Sequence, residues 1–179
     1  MNTKLLGSTT GQVVLAKGSA CVSINARFRY EEKLVKKLYF AHPINTYGTP
    51  LECELISLIE SIWPDYEIIN PGDQIHKDKV SELRAKDPTV NVMPYFEELV
   101  RFCSDIIVLP FGDGMWGSGI WREVEVFREG CHGEASAWFI DPKTKSFYFV
   151  PQNIQLLKLS VEETRSRIRN PDGTPKPYV

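Results

Sequence analysis

Ile106-Ile107-Val108-Leu109-Pro110-Phe111-Gly112-Asp113-Gly114-Met115-Trp116-Gly117-Ser118-Gly119-Ile120-Trp121-Arg122-Glu123 decides the fold of this chain. Four apolar residues in a row, opened by Ser104-Asp105, read as a buried strand. Gly112, Gly114, Gly117 and Gly119 then make a glycine-rich loop. From Glu123 to Glu129 the pattern is helical, and Gly130 stops it. A strand that feeds such a loop and then a helix forms a ligand-binding corner in an open α/β sheet, at the strand's carboxyl end. Backbone N–H groups at the helix start attract an anion. Glycines let the backbone turn tightly and come close to a ligand. On this reading Glu123 lies in the helix's first turn and faces whatever the loop holds.

Upstream, Leu38-Tyr39-Phe40-Ala41 reads as the first core strand. His42-Pro43 ends it, because proline cannot continue a ladder and restrains the residue before it. Ala41 and His42 therefore also sit at a strand's carboxyl end. Thr49 is an N-cap and Pro50 a first helical residue. Leu51, Leu55, Ile56, Leu58 and Ile59 follow at helical spacing, while Glu52, Glu54 and Glu60 decorate the other face. Tyr66 to Asn70 is the second strand, which completes a βαβ unit. Residues 72–92 are polar and read as a long excursion over the sheet edge, with a short helix at Lys79 to Ala85. Met93 to Cys103 is a helix and Asp105 to Leu109 the third strand. Glu134 to Ile140 is the fourth, and Phe147 to Val150 a fifth strand or a hairpin partner. A last helix runs from Ser160 to Ile168, with Ser160 and Glu163 as a capping box. The tail from Asn170 to Val179 is rich in proline and glycine. It is either disordered or laid over a neighbouring subunit.

These elements predict an α/β, Rossmann-like three-layer domain over residues 38–179 with a central, mostly parallel sheet of about five strands. Residues 1–37 form a small β extension of the same unit. Within it Gln12 to Ala16 and Ala20 to Ile24 flank the turn signal Lys17-Gly18-Ser19 as a hairpin. The chain has 179 residues, with 42% apolar and 25% charged, which suits a soluble domain with its own core. A net charge of -2 gives no pull toward a nucleic-acid polymer or an anionic membrane. No apolar run approaches the roughly 20 residues of a membrane span. Cys21, Cys53, Cys103 and Cys131 form no zinc or CxxC pattern, so no metal is expected. The first three lie among apolar residues and read as buried thiols, which fits a reducing cytoplasm.

The run Leu38 to Pro43, the Ser104-Asp105 strand opening, Asp113 and Gly119-Ile120-Trp121-Arg122-Glu123 resemble the nucleoside 2-deoxyribosyltransferase family, which includes related hydrolases of nucleotide N-glycosidic bonds. The resemblance covers roughly residues 38–140. It implies cleavage of the bond between a base and C1′ of a (deoxy)ribose. It also implies that Glu123, four residues after Gly119 in a G-[TSA]-x-x-E pattern, is the nucleophile. Tyr39 matches the family's strand-one tyrosine, which hydrogen-bonds the nucleophile. Asp113 matches its loop aspartate, which meets the base, and Asp105 its strand-opening aspartate. Related enzymes complete the site with a neighbour's C-terminal residues, so the resemblance implies a homo-oligomer and makes the tail a candidate for that reach. No cofactor is implied. Two departures stand out. Ile120 replaces the usual small hydroxyl residue, and the first loop reads His42-Pro43-Ile44-Asn45 rather than glycine-rich.

The chemistry is coherent on its own terms. A carboxylate attacking a sugar C1′ divides one hard displacement into two easier ones. The transition state is oxocarbenium-like, so negative charge beside it helps. The departing base needs a proton, a role for Asp113. The loop glycines, Gly114 among them, leave room for ribose. The amides of Gly117, Ser118 and Gly119, with Arg122, suit a 5′-phosphate. Trp116 and Trp121 suit stacking on a base. Each of these residues also has a plain structural reading: Glu123 as a macrodipole partner, Tyr39 as core, Asp113-Gly114 as a turn pair, and the tryptophans as packing. Two other functions remain open. One is an inactive nucleotide-binding sensor or scaffold. The other is a phosphoribohydrolase of the lysine-decarboxylase-like family, whose P-G-G-x-G-T-x-x-E run differs from Pro110-Phe111-Gly112-Asp113-Gly114 here.

Overall fold

The structure is a computed structural model and describes residues 35–130, 136–150 and 157–178. The expected hairpin over residues 12–24 lies outside them. Five strands form one sheet in the order β2-β1-β3-β4-β5. They are β1 (Lys36–Ala41), β2 (Tyr66–Ile69), β3 (Asp105–Val108), β4 (Ala137–Ile140) and β5 (Phe147–Phe149). The first four are parallel, with Tyr39 opposite Ile69 on one side and Ile106 on the other. β5 runs antiparallel to β4 as its hairpin partner. β1 begins at Lys36, two residues before the expected start.

Alternation along the central strands sets the layers. Leu38 and Phe40 point to one face with Ile107, where Leu55 and Ile59 of α1 (Pro50–Ile62) cover them. Tyr39 and Ala41 point to the other face with Ile106 and Val108. There they meet Val100 of α3 (Met93–Arg101) and Ile120, Val124 and Phe127 of α4 (Ser118–Gly130). Every residue of β3 is buried, which is why it reads as an unbroken apolar run. Thr49 caps α1 by accepting the Glu52 amide, with Pro50 in the first turn, as the sequence predicts. The Ser160–Glu163 capping box opens α5 (Val161–Ile168).

Four expectations need correction. α2 (Gln74–Lys86) replaces most of the expected excursion. It has a single buried residue, His76, so no apolar stripe announces it. α4 starts at Ser118 rather than Glu123, so Glu123 is the sixth helical residue and sits in the second turn. Cys53 is exposed, because the inner face of α1 holds Leu55 and Ile59 and turns Cys53 outward. The tail folds back on its own chain: the Tyr178 hydroxyl donates to the Pro110 carbonyl at 2.6 Å, and Asn45 Nδ2 donates to the Pro177 carbonyl at 3.2 Å.

Candidate active site

Glu123 and Tyr39 meet because their elements leave them no other direction. On α4 the inward positions are Ile120, Glu123, Val124 and Phe127, the i, i+3, i+4, i+7 stripe of a core helix. Glu123 thus occupies a core position and is only 8% exposed. Tyr39 projects from β1 onto the same face and is fully buried. Its hydroxyl donates to Glu123 Oε1 at 2.9 Å. Oε2 takes no hydrogen bond from any described residue. Burial pushes the Glu123 pKa up to about 8; the Tyr39 hydrogen bond works against that shift and the Glu97 charge adds to it. Burial and the Glu123 charge also raise the Tyr39 pKa well above its usual value, so Tyr39 stays a donor.

A second cluster lies at the β1–α1 corner. His42 continues the alternation that places Phe40 on the α1 face, and it is buried. Its Nδ1 lies 2.6 Å from Thr46 Oγ1, which is also 2.6 Å from the Pro43 carbonyl oxygen. Its Nε2 lies 2.9 Å from Asn70 Oδ1 and 3.3 Å from Glu52 Oε1. Asn70 Oδ1 accepts the Gly72 amide, while Asn70 Nδ2 donates to Glu52 and Asp73. The Nε2–H tautomer satisfies this pattern, with Nε2 donating to Asn70 Oδ1 and Nδ1 accepting from the Thr46 hydroxyl. Burial holds the His42 pKa below its usual value, against the opposing effects of Asn70 and Glu52. Glu52 also accepts the Gly48 amide, so it fixes the loop that carries Tyr47. Tyr47 packs edge-on against His42, ring centroids 4.8 Å apart, and lies within Coulombic reach of both Glu123 and Glu52.

Sequence reasoning missed Tyr47, Glu52, Asn70 and Thr46. Only Glu52 carried a signal: it stands one turn before the core residues Leu55 and Ile56 on the same side of α1, although the sequence reading placed it on the outer face. His76 is a further buried polar residue of this region, with Nδ1 2.6 Å from the Tyr95 hydroxyl.

The other sequence candidates are placed as follows. Ala41 is buried at the end of β1 and accepts the Leu109 amide. Asp113 is half exposed and pairs with Arg167 of α5 at 2.7 Å. Burial pushes its pKa up, but Arg167 and the Met115 amide outweigh this and hold it below the usual value. A carboxylate so held favours the ionised form, which speaks against the acid role expected of Asp113. Gly114 takes φ +84° in the turn that returns its amide to the Phe111 carbonyl. Trp116 is 2% exposed and packs against Trp121 and Phe139, so neither of the two tryptophans offers a free face for stacking: Trp121 is itself buried, with Lys158 over its ring. The Ser118 amide is occupied by Thr164 Oγ1 at 2.9 Å, and Thr164 also covers Gly117. Of the three amides expected to hold a phosphate, one is therefore taken from within. Gly119 lies beside Met93. Arg122 is engaged by Glu97, Glu125 and Glu129. Asp105 sits at the start of β3, three residues and about 10 Å from Val108 at the usual strand rise. It lies opposite Leu38 of β1 and accepts the Ser136 amide at 3.2 Å, so it ties β3 to the residue that leads into β4.

Among the described residues no group of three or more His, Cys, Asp or Glu side chains is placed to hold a metal ion. No described helix is long and apolar enough to cross a membrane. No protein-family model matches the chain, and no curated protein or solved structure matches it significantly.

Proposed function

We propose that the protein cleaves, or transfers at, the N-glycosidic bond of a nucleoside or nucleotide, with Glu123 as nucleophile. The observation that carries this reading is a buried carboxylate in a core-helix position, with one oxygen held by Tyr39 and the other unengaged by any described residue. A buried carboxylate is costly and is kept where it does chemistry. In the first step Oε2 forms a bond to C1′, the C1′–N bond breaks, and its electron pair leaves with the base. In the second step water or an acceptor base attacks C1′ and releases the Glu123 carboxylate. Tyr39 holds Oε1 so that Oε2 keeps its direction, and the glutamate's charge opposes that of the oxocarbenium-like transition state. Because the carboxyl is half protonated only near pH 8, the reactive form is a minority at neutral pH.

The test is base release from a panel of nucleosides and 5′-nucleotides, with and without an acceptor base, for wild type and Glu123→Ala. Release that vanishes in the variant supports the reading, and acceptor dependence separates transfer from hydrolysis. Nucleotide binding without release from any substrate assigns the chain to a sensor instead.

A further inference from the structure

α5 adds nothing to the core, for none of its residues is buried. A helix that buries no side chain is held on its domain by surface contacts, and such an element opens at low cost. The contacts of Thr164 and Arg167 run to one place, the glycine-rich loop and the start of α4. Thr164 Oγ1 accepts the Ser118 amide at 2.9 Å, and Thr164 Cγ2 lies 3.2 Å from where a Cβ on Gly117 would stand. Arg167 pairs with Asp113 at 2.7 Å and lies over the Phe111 ring, 5.3 Å from its centroid. Just before α5, the Trp116 amide donates to the Leu157 carbonyl at 2.8 Å, and the Leu159 amide donates to the Trp116 carbonyl at 2.9 Å.

The loop depends on these contacts. Its own bonds lie within residues 111–115: the Phe111 amide donates to the Met115 carbonyl, the Gly114 amide to the Phe111 carbonyl and the Met115 amide to Asp113 Oδ1. Past Met115, the Trp116 and Ser118 amides both turn to residues 157–164. The first amides of a helix have no partner within it, and here a different helix supplies one. We propose that Thr164 and Arg167 are positioning residues that make α5 a latch on the loop and on the first turn of α4. The proposal rests on the reading of Glu123 as nucleophile. α4 is continuous from Ser118 to Gly130, so Glu123 stands about 7.5 Å along its axis from Ser118. Tyr39 is fixed by the sheet, with Ile69 and Ile106 as neighbours. Holding the start of α4 therefore sets the height of the Glu123 carboxylate against the Tyr39 hydroxyl, 2.9 Å away. Thr164 and Arg167 act through α4 rather than at the reacting atoms. The latch is light. Asp113 and Arg167 are both partly exposed, and ion pairs of that kind weaken in salt.

Thr164→Val keeps the shape of the side chain and removes the acceptor. Thr164→Ser keeps the acceptor, and Arg167→Gln removes the charge. Hydrogen exchange over residues 112–121 and base release should be measured for these variants and wild type, at low salt and in about 1 M NaCl. In Thr164→Val the Trp116 and Ser118 amides should exchange about tenfold faster, the effect of a lost cap. Its kcat should fall by a similar factor with KM nearly unchanged, and Thr164→Ser should restore both. Arg167→Gln and wild type in salt should show the same smaller loss, and salt should not weaken Arg167→Gln further. Unchanged exchange in Thr164→Val would overturn the latch. Faster exchange with unchanged kcat would overturn the positioning of Glu123 and leave the glycosidic reading standing. No base release by wild type from any nucleoside or nucleotide would overturn the glycosidic reading and the positioning role with it.

Discussion

Glu123→Gln keeps the shape of the buried side chain and removes its charge, so it isolates the cost of that charge to folding. The folded-state pKa of Glu123 is about 8, against an ordinary value of 4.5. The native protein therefore holds this proton more tightly than the unfolded chain does. Below pH 4.5 both states are protonated and there is no penalty. Between 4.5 and about 8 unfolding releases a proton, and stability falls by about 1.4 kcal/mol per pH unit. Above 8 the penalty levels off at about 5 kcal/mol. That is a large share of a domain's usual 5–15 kcal/mol. The amide of the variant still accepts from Tyr39, so wild type and Glu123→Gln should have similar stability at pH 5. At pH 8.5 the variant should be more stable by several kcal/mol, which is about 10 °C in Tm for a chain of this size. His42 and His76 titrate in both proteins and cancel in the difference. Thermal and urea unfolding of the two proteins at pH 5, 6.5 and 8.5 measures it. Curves that run parallel across this range would refute the buried, proton-holding state of Glu123.

The remaining predictions test the partners. Tyr39→Phe removes the one hydrogen bond that lowers the Glu123 pKa, so the rise of kcat/KM with pH should shift from near 8 to a higher value; a profile that keeps its midpoint would separate Tyr39 from Glu123. Gly72→Ala should destabilise the corner by about 1–3 kcal/mol, because a Cβ there would fall 2.1 Å from Glu52 Oε1; unchanged melting would show that the Glu52 anchor is slack.

The fold was legible where burial alone dictates sequence. β3 is buried along its whole length, and α1 carries its cap, its proline and its inner leucines in order. α2 was not legible as a full helix because its stability rests on propensity and on ion pairs such as Lys79 and Lys86 with Glu82, which leave no apolar period. The start of α4 was misplaced for a related reason. Gly117, Ser118 and Gly119 look like loop, yet Ser118 and Gly119 are helical because Thr164, 46 residues later, supplies the cap. A cap from a distant helix leaves no local signature.

The same contrast runs through the site. The Tyr39–Glu123 pair was expected from the family resemblance alone: by its pattern Tyr39 read as core, and the core-helix stripe that holds Glu123 begins at Ile120, before the expected helix start. A carboxylate in that stripe conflicts with the pattern around it, and such conflicts gather where function overrides stability. Tyr47 and its supports gave no pattern. They come from a loop, from the end of β2 and from the outer reading of Glu52, and they are joined only by folding. Asp113 shows the reverse case. Its position in the loop suggests chemistry, but its chemistry depends on a charge outside the loop: Arg167 on α5 holds the carboxylate ionised. A residue's place in a motif therefore limits its role less than the charges that surround it.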